Sequence, residues 1–103
     1  MKIVVVSDSH GRNDILKTIQ EKHPDAKLFI HCGDLEDDPM NYPGYIIVRG
    51  NNDYFGRFEN ERIIQIGKHQ IYVKHSHRFS YFSRYEQMAN RAKELNCDIV
   101  CFG

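Results

Sequence analysis

Oxygen and nitrogen donors cluster at four separated points of this chain: Asp8-Ser9-His10, Gly33-Asp34, Gly50-Asn51-Asn52-Asp53 and Val73-Lys74-His75-Ser76-His77. Carboxylate, amide and imidazole donors in such a mixture suit Mn²⁺, Fe, Zn²⁺ or Ni²⁺ better than Ca²⁺. Each cluster follows a short apolar run, over residues 2–6, 28–30, 45–48 and one ending at Val73. Short β-branched runs flanked by turn residues read as strands. The donors therefore recur at the carboxyl ends of successive strands, the edge of an open α/β sheet where ligands bind. Taken singly the residues are ambiguous: Asp8 could cap a following helix, and Asn51 beside Gly50 could be a turn residue. Four strand ends offering Asp, His, Asp, Asn and His read as a metal site.

The elements that must position these donors follow in the order β-α-β, loop, β, hairpin, α-β. Asn13 is placed to N-cap the first helix, Ile15, Leu16 and Ile19 mark its apolar face, and Pro24 ends it. Residues 35–44 hold two prolines, a glycine and three acidic residues and read as a loop. Residues 62–66 and 69–73 flank Gly67-Lys68, a linker that suits a type II′ hairpin. Ser83-Arg84-Tyr85-Glu86 matches a capping box. Tyr85, Met88, Ala89, Ala92 and Leu95 then follow helical spacing as a core face, and residues 98–102 form the last strand. A hairpin inserted into a βαβ series points to a second sheet.

With 103 residues the chain is one domain at most. Fourteen basic and fourteen acidic residues balance, so it has no general attraction for nucleic acid or for an anionic membrane. The apolar start is too short for a signal segment, and no stretch nears the roughly 18 apolar residues of a membrane-spanning helix. Cytoplasm is the default expectation. Cys32, Cys97 and Cys101 are odd in number, form no C-x-x-C pair, and are expected to be buried, inert thiols. His31 is expected to be structural, and His23 and His69 to lie at the surface.

In the order of its motifs the chain resembles the calcineurin-like metallophosphoesterases, and more narrowly their small prokaryotic phosphodiesterase branch. The family pattern runs D-x-H, G-D, G-N-x-D or G-N-H-E, H, then G-H-x-H. Asp8-Ser9-His10, Gly33-Asp34, Gly50-Asn51-Asn52-Asp53 and His75 match in that order. Ile99-Val100-Cys101-Phe102-Gly103 resembles the strand and glycine that open the last motif. The resemblance implies an α/β-β/α sandwich of two mixed sheets with outer helices. It also implies a single metallophosphoesterase domain over residues 1–103 whose C-terminal part is missing.

It further implies two divalent metal ions, Mn²⁺ first, with Fe, Ni²⁺ or Zn²⁺ also suited. Asp34 would bridge them, Asp8 and His10 would bind one, and Asn51 and His75 the other. Asp53 joins the catalytic group as an orienting residue. Asn52 stands where many members carry a general-acid histidine, and a neutral amide cannot usefully donate a proton near neutral pH. His77 is the nearest replacement, as acid or phosphate contact, and Arg12 is a candidate phosphate contact. The expected activity is hydrolysis of a small phosphodiester or nucleotide-like substrate by a metal-bridging hydroxide. No stable nucleic-acid complex or membrane partner is expected, and homo-oligomerisation stays open. The alternatives are a non-catalytic scaffold on the same fold and an inactive truncated fragment.

Overall fold

The computed structural model describes residues 1–54, 56–78 and 83–103. Its elements are β1 (Ile3–Val6), α1 (Asp14–Lys22), β2 (Leu28–His31), β3 (Ile46–Ile47), β4 (Glu61–Ile66), β5 (His69–Lys74), α2 (Arg84–Glu94) and β6 (Ile99–Phe102). Short 3₁₀ turns occupy Pro39–Asn41 and Ser76–Arg78. The expected sandwich is present as two three-stranded sheets. In the first, β1, β2 and β3 lie in sequence order and all run parallel. In the second, β4 pairs antiparallel with β5, and β5 pairs parallel with β6. Parallel neighbours need a long crossover, and α1 supplies the one between β1 and β2.

Side-chain alternation builds the layers. Ile30, Cys32 and Val48 from the first sheet meet Ile71 and Val73 from the second, with Ile3, Ile64, Ile66 and Cys101 packed around them. On the opposite face of the first sheet, Phe29 and Ile47 join Leu16 of α1, Leu35 and Tyr45. Tyr72, between Ile71 and Val73 in sequence, points the other way. Its hydroxyl donates to Glu61 Oε2 at 2.6 Å, and Arg91 of α2 donates to Glu61 Oε1 at 2.9 Å. Burial, and then the Glu61 carboxylate, push the Tyr72 phenol well above its usual range. Each fully buried aliphatic side chain in these clusters contributes about 1.5–3 kcal/mol, so the sheet-to-sheet seam is what fixes the site's floor.

The Gly67-Lys68 linker joins Ile66 to its partner His69, and Gly67 takes φ +58°, as a type II′ turn requires at its first position. Several local expectations are corrected. Asn13 precedes α1, but its side chain makes no cap; the amide donates instead to Leu35 O at 3.0 Å and accepts from Ser9 Oγ at 2.5 Å. Ser83 likewise makes no cap bond, because its hydroxyl takes the Gln87 amide at 2.9 Å. Ile15 of the expected α1 face is 53 % exposed, with Leu16 alone fully buried. On α2, Met88 and Ala92 are buried, Leu95 is half-buried, and Tyr85 and Ala89 are exposed. One turn of each short helix faces its sheet, which leaves the flanks of the stripe outside. His23 is half-buried rather than at the surface. Cys32 is buried and Cys97 and Cys101 half-buried, all three free thiols; burial pushes each up, Cys32 to about 12. Among the described residues no helix is long and apolar enough to cross a membrane.

Candidate metal centre

Because β1, β2 and β3 run parallel, their carboxyl ends share one edge, and Asp8, Asp34 and Asn51 follow those ends. The loops beyond β1 and β2 continue the ladder: Asp8 N donates to Gly33 O at 2.9 Å, His10 N to Asp34 O at 3.0 Å and Gly11 N to Leu35 O at 3.1 Å. From the second sheet β5 delivers His75 to the same edge. Its Nδ1 lies 3.0 Å from Cys32 O, a bond that crosses between the sheets. A carbonyl only accepts, so the ring proton sits on Nδ1 and the Nε2 lone pair faces the site. There Nε2 lies 3.0 Å from Asn51 Oδ1 and 3.7 Å from Asp34 Oδ2. Ligating atoms of Asp8, Asp34 and His75 all lie within 4.8 Å of one another.

That arrangement turns carboxylate, amide and imidazole acceptors toward one another, a donor set that a bound cation would satisfy. Asp34 and His75 are buried, at 2 % and 6 % exposure, whereas Asp8, His10 and Asn51 open to solvent. The floor is therefore dry and the mouth wet. Burial by itself would raise the Asp34 carboxyl. The Asn52 backbone N–H and then the Asn52 side-chain amide work against it, and Asp34 is held below the usual carboxylate range. Asn52 N donates to Asp34 Oδ1 at 2.9 Å and Asn52 Nδ2 to Oδ2 at 3.1 Å.

The backbone is bent to bring these groups together. Asp8, His10, Asp34 and Glu36 adopt left-handed φ values of 59°, 50°, 61° and 59°. Such residues carry strain of about 1–3 kcal/mol each and persist only where the surroundings over-determine them. Gly50 must be glycine, since a Cβ there would sit 2.1 Å from Asp34 Oδ1 and 2.3 Å from Asp34 N. Asp53 supplies much of the determination. Its Oδ2 accepts from Gly50 N at 2.7 Å and Asp34 N at 2.9 Å, and its Oδ1 accepts from Glu36 N at 2.7 Å. One buried carboxylate thus staples the loop after β3 to the loop after β2.

His31 braces the loop after β1. Gly33 N donates to its Nδ1 at 3.1 Å, so its proton lies on Nε2, 2.9 Å from Ser9 Oγ. Ser9 passes the chain to Asn13, and Asn13 to Leu35 O. Burial lowers the His31 pKa, consistent with a neutral ring in this directed chain.

The candidate residues fall in distinct places. Asp8, Asp34, Asn51 and His75 converge. His10 reaches Asp8, with Nε2 3.7 Å from Asp8 Oδ1, but lies outside the tight group of three. His77 is exposed at the rim, its ring centroid 5.1 Å from that of His75. Arg12 is exposed and lines, with Asp8, His10 and Ile15, an open cleft of about 630 Å³ beside α1. Asp53 touches loop backbone. Sequence reasoning missed Ser7, whose hydroxyl donates to Asp8 Oδ2, the Cys32 carbonyl, and Glu36, whose Oε2 lies 2.5 Å from His10 Nδ1. That contact, opposed by slight desolvation, raises the His10 pKa. Only Glu36 had a legible signal, as a carboxylate two positions after Asp34.

Geometry and ancestry agree. The family model described as the calcineurin-like phosphoesterase superfamily domain matches residues 1–103, and the chain belongs to that superfamily. It is 37% identical over 107 residues to the probable metallophosphoesterase YsnB of Bacillus subtilis (strain 168), covering 100% of this chain and 63% of that protein. A probable metallophosphoesterase of Mycoplasma pneumoniae is 30% identical over 108 residues, covering 99% of this chain and 65% of its own. Among solved structures, a predicted phosphoesterase from Streptococcus pneumoniae superposes with a TM-score of 0.90 at 26% identity, over 98% of this chain and 60% of that one. The chain thus spans somewhat under two thirds of the length of these relatives.

Proposed function

We propose that this chain carries the metal site of a divalent-metal-dependent phosphodiesterase acting on a small phosphodiester or nucleotide-like substrate. The observation that carries the reading is the convergence of Asp8, Asp34, Asn51 and His75 acceptors on one strand-end edge. In this reading Asp34 would be shared by two cations, Asp8 and His10 would hold one and Asn51 and His75 the other, with manganese, iron, nickel or zinc suited to the donors. When bound, such cations neutralise phosphoryl oxygens and acidify water.

The protein's own residues do the rest. The Cys32 carbonyl fixes the His75 tautomer. Asp53 holds the Asp34 and Gly50 backbones. Asn52 holds the Asp34 carboxylate through two N–H donors, and its neutral amide offers no acid for a leaving group. His77 at the rim is the group we assign to meet the phosphate or its leaving oxygen. Arg12, which lines the cleft beside α1 together with Asp8 and His10, is the group we assign to a second anionic oxygen.

The test is cleavage of an activated aryl phosphodiester by metal-stripped protein and by the same protein after Mn²⁺, Fe²⁺, Ni²⁺ or Zn²⁺ is restored. Cleavage only with metal supports the reading. Full cleavage after exhaustive chelation contradicts it. No cleavage with any of the four ions would favour a scaffold role on the same fold.

A further inference from the structure

The two histidines of the centre are held in different ways. His75 gives its Nδ1 proton to a backbone carbonyl, a fixed acceptor. His10 faces a side chain, with Nδ1 2.5 Å from Glu36 Oε2. Its own ring is half open to water, at 48% side-chain exposure, so packing alone does not orient it. Glu36 is itself held. Its backbone sits at φ +59°, and its N–H donates to Asp53 Oδ1 at 2.7 Å. The Asp53 carboxylate also holds Asp34 N, so Glu36 is registered to the candidate bridging residue.

A carboxylate only accepts, so the contact places the His10 proton on Nδ1 and leaves the Nε2 lone pair on the side of Asp8 Oδ1, 3.7 Å away. Histidines that bind metals are held by such an outer acceptor, which sets tautomer and ring orientation. We propose that Glu36 is the positioning residue of His10: it selects the Nδ1–H tautomer and aims Nε2 at the cation that Asp8 binds. The inference rests on the reading of His10 as a ligand.

The experiment is a set of measurements on the full chain. Nitrogen–proton correlation spectra of the metal-free protein, recorded with the ring neutral, read the His10 tautomer directly. The Nδ1–H form is expected in the wild type, and the Nε2–H form there would overturn the proposal without any variant. Calorimetric titration with Mn²⁺ then compares Glu36→Ala and Glu36→Gln with wild type. Glu36→Ala is expected to lose the tautomer preference and about 10- to 100-fold in affinity. Glu36→Gln, whose Oε1 can accept the same N–H, is expected to keep the tautomer and recover most of the affinity. Unchanged affinity in Glu36→Ala would overturn the proposal. His10→Ala separates the two levels: lost affinity there with Glu36→Ala unchanged refutes the role of Glu36 alone. Unchanged affinity in His10→Ala refutes the ligand reading and the proposal with it.

Discussion

Replacing Asp53 should unfasten the centre before it touches any ligand. Asp53 is 4 % exposed and accepts three backbone N–H bonds, from Gly50, Asp34 and Glu36, at 2.7, 2.9 and 2.7 Å. Bonds to a charged acceptor are worth about 1.5–3 kcal/mol each. Gly50 and Asp34 are buried, so their donors would go unsatisfied, while Glu36 is exposed and water can replace its partner. Two such bonds amount to about 3–6 kcal/mol, offset by release of a carboxylate from burial, and Asp53→Ala should cost about 3 kcal/mol. Small domains are stable by about 5–15 kcal/mol, so this is a large share. Asp53→Asn keeps one oxygen but turns an NH₂ against backbone donors, and should cost about 2 kcal/mol. Urea unfolding followed by circular dichroism is the assay. With a slope of about 1–3 kcal/mol per molar, the Asp53→Ala midpoint should fall by about 1–3 M. A midpoint within about 0.3 M of wild type, at unchanged slope, would refute the staple.

Asp34→Asn keeps the shape but removes the charge that would hold two cations together, and phosphodiester turnover should fall at least about a hundredfold, or about 2.7 kcal/mol of barrier; a loss under threefold would exclude Asp34 as the bridge. With Asn52 where an acid could stand, turnover should fall steeply as leaving-group pKa rises, aryl diesters outpacing alkyl ones. A flat dependence would show that another group, such as His77, donates a proton. The Arg91 contact, against some desolvation, depresses the Glu61 carboxyl below its ordinary 4.5. A depressed carboxylate stabilises the fold above that value, and the contribution is lost as pH falls through the lower folded value. Both partners are substantially exposed, Glu61 at 31% and Arg91 at 41%, so the effect is about 1 kcal/mol or less. Urea midpoints of wild type and Glu61→Gln should differ at about pH 7 and converge as the pH falls through the lowered folded value; a gap that widens in acid would contradict the assignment.

The parts of the fold legible in the sequence were those fixed by local pattern. Residues 3–6 and 28–31 are apolar enough to be strands, and their parallel pairing follows from the helix between them. That pairing put Asp8 and Asp34 on one edge, which is why the ligand candidates could be named before any geometry. The Gly67-Lys68 turn was equally local. What sequence did not reveal depends on the backbone between ligands. Four left-handed residues at Asp8, His10, Asp34 and Glu36 have no compositional mark. Asp53 was expected to orient a ligand or loop, but its three partners lie up to 19 positions away. Asn13 and Ser83 looked like caps because propensity is local, whereas their side chains answer to nearby partners, Leu35 and Gln87. Ile15 and Tyr85 looked like core because periodicity reports a stripe, not how much of it a narrow sheet can cover.

The most direct test of the metal-centre claim is anomalous diffraction from crystals of the protein grown with Mn²⁺. Two peaks about 3.5–4 Å apart are expected on either side of the Asp34 carboxylate, one beside Asp8 and His10 and the other beside Asn51 and His75. Manganese bound elsewhere, or no peak within coordination distance of Asp34 at saturating metal, would contradict it.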